Sequence, residues 1–116
     1  MTRRHQPEAI LQRSLIEHLR WGARGDTWST HVPTGGWRSP IEAAIFKSLG
    51  VRVGSPDLLI IRASQPLFLE TQGARRKLSP VQTECHDALR HAGATVETAD
   101  NIDAALAFLA RVGVMR

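Results

Sequence analysis

Gly54-Ser55-Pro56-Asp57-Leu58-Leu59-Ile60-Ile61-Arg62 and, a few residues on, Leu67-Phe68-Leu69-Glu70-Thr71-Gln72 form the centre of this sequence. Four consecutive apolar residues in so short a run read as a strand buried on both faces rather than an amphipathic edge. A Ser64-Gln65-Pro66 turn separates the two runs, so they are expected to pair as a hairpin in the middle of a sheet. Each run carries one carboxylate: Asp57 opens the first, and Glu70 lies near the far end of the second. A carboxylate in such surroundings is costly to bury unless it is paired or bound to a metal. Two of them brought together suggest a divalent cation held by oxygen, magnesium or manganese. The spacing equally allows each to sit at a strand end facing water.

Upstream, Ile10, Leu11, Ser14, Leu15, His18 and Leu19 recur at helical spacing from about Pro7 to Trp21. Thr27 to Val32 is rich in strand formers and runs into a Pro33-Thr34-Gly35-Gly36 turn. Ser39-Pro40-Ile41-Glu42 has a cap residue, a proline at the first helical position and a glutamate three residues after the cap. That pattern opens a helix to about Leu49, stopped by Gly50. Downstream, Ser79-Pro80-Val81-Gln82 repeats the pattern and opens a helix toward Ala92 and Gly93. Thr95 to Thr98 is a short strand. Asn101 or Asp100 caps a last helix whose apolar face is Ile102, Leu106, Phe108 and Leu109. The order helix, strand, helix, strand, strand, helix, strand, helix implies an α/β architecture around a mixed sheet, with residues 1–116 forming one domain.

The 116 residues are 42% hydrophobic and 22% charged, which excludes an intrinsically disordered chain. No apolar run approaches the ~18 residues of a membrane span. The basic start, Met1-Thr2-Arg3-Arg4, has no apolar stretch behind it, so it does not read as a secretory signal; a soluble cytoplasmic protein of bacterial or phage type is expected. Cys85 is the lone cysteine and has no partner for a disulfide. The spacing of the five histidines, among them His86 and His91, matches no zinc motif. The net charge of +4 rests on thirteen arginines and only two lysines, Lys47 and Lys77. Arginine's planar fork suits phosphate, so a polyanionic partner, nucleic acid first, is favoured.

Beyond the two carboxylates, Gly54-Ser55-Pro56-Asp57 followed thirteen residues later by Glu70-Thr71-Gln72 is similar to the PD-(D/E)XK nuclease signature. The flanking sequence resembles its virus-type replication-repair nuclease branch, the VRR-NUC domain. The likeness includes Glu8 on the first helix, the stretch Pro33-Thr34-Gly35-Gly36-Trp37-Arg38, the glycine-closed helix 41–50, Pro56-Asp57, and Arg75-Arg76-Lys77-Leu78-Ser79-Pro80-Val81-Gln82. It covers roughly residues 8 to 98. The resemblance implies a restriction-endonuclease-like core, a central mixed β-sheet flanked by α-helices. It makes Asp57 and Glu70 the ligands of Mg2+ or Mn2+, with the Thr71 backbone carbonyl and Glu8 as further candidates, and Gln82 a helix glutamine near the active site. From the residues alone, Glu8 is equally a solvated acid in a helix first turn, and Gln82 equally the reciprocal partner of the Ser79 cap.

The resemblance further implies a DNA endonuclease, structure-selective in the manner of a Holliday-junction resolvase involved in DNA repair, and a homodimer acting on branched or junction DNA. Gly35, Gly36, Trp37 and Arg38, with Arg75, Arg76 and Lys77, are the candidates for gripping the DNA backbone. Trp37 could stack on a base or instead pack its loop onto the body or a subunit interface. One position departs from the pattern: Gln72 stands where the family has its catalytic lysine. A neutral amide can hydrogen-bond the attacking water but supplies neither a positive charge nor a base. Three explanations remain open: the metal suffices, Lys77 or Arg75 or Arg76 substitutes, or the chain is a catalytically impaired module that binds structured DNA without cutting it.

Overall fold

The computed structural model describes residues 6–33, 39–73 and 77–116. Among the described residues four helices and four strands follow in the order α1 (Gln6–Gly22), β1 (Thr27–His31), α2 (Pro40–Ser48), β2 (Leu58–Arg62), β3 (Gln65–Thr71), α3 (Pro80–His91), β4 (Thr95–Ala99) and α4 (Ile102–Arg111). The order matches the one expected from the sequence. The strands lie in the sheet as β1-β2-β3-β4, with the hairpin at its centre. β1, β2 and β3 pair antiparallel, while β3 and β4 pair parallel through the α3 crossover, so the sheet is mixed.

The helix caps follow their sequence signals. Ser39 and Ser79 each accept the backbone N–H of the residue three positions on, and Glu42 and Gln82 each accept the cap residue's own N–H. Asn101 caps α4 by accepting from the Ala104 N–H. Two expectations are corrected. The hairpin turn is Ala63-Ser64, both at positive φ (51° and 65°), and β3 already begins at Gln65 opposite Arg62. Both turn residues occupying the left-handed region is the hallmark of a tight two-residue hairpin, which Ala and Ser do not advertise in sequence. Pro66 sits within the strand opposite Ile61, one position past the pair that closes the turn and therefore where the ladder asks no N–H of it.

The second correction concerns burial of β2. Leu58 and Ile60 are fully buried, but Ile61 is 40% exposed. One face of the sheet packs Leu58, Ile60, Leu67 and Leu69 against Leu15 and Leu19 of α1 and Ala105, Phe108 and Leu109 of α4. On the other face α3 packs over β4, and α2 contributes no buried residue. The outer half of β2 is therefore left partly open. Among the described residues no helix is long and apolar enough to cross a membrane.

Candidate active site

The antiparallel register places Leu58 opposite Leu69, so one step further Asp57 faces Glu70 across the open end of the hairpin, on the face that α3 partly covers. Asp57 is held from two sides. Its carbonyl accepts the Val32 N–H at 2.7 Å and lies 2.9 Å from His31 Nδ1. Its Oδ2 accepts both the Thr71 N–H and the Thr71 hydroxyl at 2.8 Å. The segment before it is packed onto α3: Gly54, at φ +81°, lies so close to Val81 that an added Cβ would come within 2.6 Å of the Val81 carbonyl oxygen. Only glycine satisfies both that backbone conformation and that approach.

Glu70 is buried at the next-to-last position of β3. Its carboxyl is pushed up from the ordinary range to about 9, first by burial, then by the hydrogen bond and the charge of Asp57, and then by Glu8. Glu8 comes from the first turn of α1 and accepts the Gly73 N–H at 2.9 Å, just beyond the end of β3. Three acidic residues far apart in sequence thus converge on one end of the sheet. On its other side Glu70 meets His86 of α3, whose Nε2 lies 3.1 Å from Glu70 Oε1. Burial, reinforced by Arg90, lowers the His86 pKa, which favours a neutral imidazole beside the carboxyl group.

Gln72 follows β3, with its N–H donated to the Ala99 carbonyl at 3.0 Å and only 9% of its surface exposed. Lys77 is exposed, and among the described residues neither it nor any arginine forms an ion pair with Asp57 or Glu70. Gln82 Oε1 accepts the Ser79 N–H at 2.8 Å, the capping role that its spacing allows. Thr34 to Arg38, and with them Gly35, Gly36 and Trp37, and Arg75 and Arg76, lie outside the described residues. Their flanks are informative. Val32, after β1, is bonded to Asp57, and Gly73, after β3, is bonded to Glu8, so both described flanks stand at the acidic end of the sheet.

Sequence reasoning missed two residues. Thr71 was a candidate only for its carbonyl, yet its N–H and hydroxyl immobilise Asp57. His86 was considered only for zinc; its place one turn after Gln82, on the same face of a helix, is the signal that could have found it. Among the described residues no set of three His, Cys, Asp and Glu side chains stands ready to hold a metal ion. The Asp57–Glu70 pair nevertheless suits a hard divalent cation: two carboxyl groups share a site, among the described residues no Lys or Arg is ion-paired to either, and burial first, then Asp57, raises the Glu70 pKa.

The sequence matches no protein-family model and no curated protein. Solved structures do resemble it. A VRR_NUC domain protein aligns over 95% of this chain and 96% of its own, with a TM-score of 0.75 at 24% identity. A second structure, described as a VRR_NUC domain, aligns over 90% of this chain and 95% of its own, with a TM-score of 0.61 at 20% identity. A mixed four-stranded sheet with its carboxylates at the end of the central hairpin, superimposing on these proteins over nearly its whole length, gives the chain the fold of the VRR-NUC domain.

Proposed function

We propose that the chain is a metal-dependent DNA endonuclease that hydrolyses phosphodiester bonds in branched DNA of the junction type and works as a homodimer. The observation that carries this reading is the meeting of Asp57 and Glu70 across the hairpin end, beside Glu8. In this reading Asp57, Glu70 and the Thr71 main-chain carbonyl hold Mg2+ or Mn2+, with Glu8 as a further candidate. Such an ion supplies Lewis-acid stabilisation of charge on the phosphate and lowers the pKa of water. The chain's own residues do the positioning. Thr71 holds one oxygen of Asp57 still, and Gln72 offers the attacking water a hydrogen bond without a charge. The Gln82 amide nitrogen is a candidate donor near the phosphate.

Backbone contacts fall to Gly35, Gly36, Trp37, Arg38, Arg75, Arg76 and Lys77, a reading supported by the described flanks Val32 and Gly73, which are bonded to Asp57 and Glu8. A second copy finds support in α2, where Ile41 and Leu49 are each 74% exposed and Ile45 and the neighbouring Val53 also face water. A two-fold dimer carries two cutting sites, which suits paired incisions. An Ile45→Glu variant is then expected to run as a monomer in light scattering while keeping its melting temperature.

A second reading, a structure-selective DNA-binding module without cleavage, is favoured by one observation. The lysine position holds a buried glutamine, and Lys77 lies exposed without a contact to the carboxylates. Cleavage of four-way-junction, flap and linear DNA in Mn2+ separates the two. The endonuclease cuts branched DNA, and Asp57→Ala lowers the rate by about 100-fold or more. Binding without cleavage by the parent, with cutting gained only in Gln72→Lys, rejects the endonuclease in favour of the module.

A further inference from the structure

His86 is fully buried, its Nε2 is 3.1 Å from Glu70 Oε1, and its Nδ1 has no hydrogen-bond partner among the described residues. With the proton on Nε2, donated to Glu70 Oε1, Nδ1 is a bare acceptor sealed from water. An orphaned buried acceptor is a penalty that a leucine or methionine of similar volume would avoid. The residue is also rigidly presented. Its helix is capped by the reciprocal Ser79–Gln82 bonds, packed against Gly54 at Val81, and tied to β4 by Arg90, which donates to the Val96 carbonyl.

We propose that His86 is a positioning residue of the acidic site: its Nε2–H, donated to Glu70 Oε1, sets the orientation of that carboxyl group so that the other oxygen serves the cation shared with Asp57. This rests on the metal reading given above. The strand alone leaves the end of a glutamate side chain free to rotate, and Asp57 has Thr71 for the same purpose. Thr71 and His86 are thus equivalent devices, one on each carboxylate, supplied by a neighbouring strand residue in one case and a helix in the other. Outer partners of this kind orient the groups that touch a metal and raise its affinity.

The test is calorimetric titration of Mn2+ onto the full chain and its variants, with circular dichroism to monitor folding. His86→Leu fills the space without a donor, His86→Gln restores an N–H near the Nε2 position, and Asp57→Ala is the control. The proposal expects His86→Leu to weaken Mn2+ binding by about 10- to 100-fold and His86→Gln to stay close to the parent. Folded His86→Leu that binds Mn2+ like the parent, while Asp57→Ala does not, overturns the role of His86 and leaves the metal site standing. A parent that binds no Mn2+, or binds it unchanged in Asp57→Ala, overturns both. Should His86→Leu not fold, the imidazole 15N signals of the parent decide. The Nε2–H tautomer, shifting on addition of Mg2+, supports the proposal, and the Nδ1–H tautomer or an unmoved signal overturns it.

Discussion

On one face of the sheet, Leu58, Ile60, Leu67 and Leu69 meet α1 and α4 in an apolar layer closed by Leu15, Leu109 and Val114. On the opposite face of the same strands stand Asp57 and Glu70, met by a histidine from α3 rather than by a hydrocarbon side chain, with Ile61 partly open to water. The strands alternate between these environments with a period of two, so each supplies both the layer that stabilises the fold and the groups that strain it. Concentrating apolar burial on one side offsets the cost of placing a carboxyl pair on the other, where desolvation first and then Asp57 and Glu8 push Glu70 toward its protonated form. The two serine-capped helices divide in the same way: α3 carries His86 into the site, whereas α2, with an equally complete cap, buries nothing.

The largest expected effect tests this asymmetry within one strand. Ile60→Ala should cost about 2–5 kcal/mol in denaturant unfolding, because it opens a cavity in the closed layer. Its neighbour Ile61→Ala should cost clearly less, because Ile61 is already 40% exposed. Equal costs would mean that both faces are closed, by a partner or otherwise.

Next comes the charge on the open face. At pH values below the ordinary carboxyl pKa of 4.5, Glu70 is protonated in both folded and unfolded chains. Between 4.5 and about 9 the unfolded chain ionises and the metal-free folded chain does not. Stability of the metal-free protein should therefore fall as pH rises through that window. Glu70→Gln should flatten the fall and raise the metal-free melting temperature at pH 8 by about 5 °C or more. An unchanged pH profile in that variant would show that Glu70 is not the group responsible.

The smallest effect separates the two caps. Ser79→Ala should cost about 1 kcal/mol of global stability, since α3 is packed on the sheet. Ser39→Ala should cost less in global unfolding, because α2 can fray without opening any buried layer. The local loss should appear instead as faster amide exchange in α2.

Much of this was legible beforehand. The capping boxes, the glycine stops and the central hairpin follow from short-range chemistry, and the elements formed in the order their signals stood. The turn was misplaced because Ala63 and Ser64 take left-handed backbone angles that neither residue type announces. Burial of β2 was overestimated because a run of four apolar residues carries no information on which helix covers which face. Within the site, Asp57 and Glu70 were legible as costly carboxylates in apolar runs. Thr71 as a double donor was not, and for His86 the only signal is its place one turn after Gln82, because each contact spans fourteen or more residues and depends on hairpin register or helix packing.

The amino-acid order was sufficient for the element sequence, the α/β class, the basic charge suited to polyanions and the position of the acidic pair, since these arise from periodicity, capping and composition acting over a few residues. Folding in three dimensions was needed to bring Glu8 to Gly73, to turn Asp57 toward Glu70, to set His86 against that glutamate and to leave α2 bare. Those outcomes depend on which surfaces meet across the chain, and the free energy of such a meeting belongs to both partners at once.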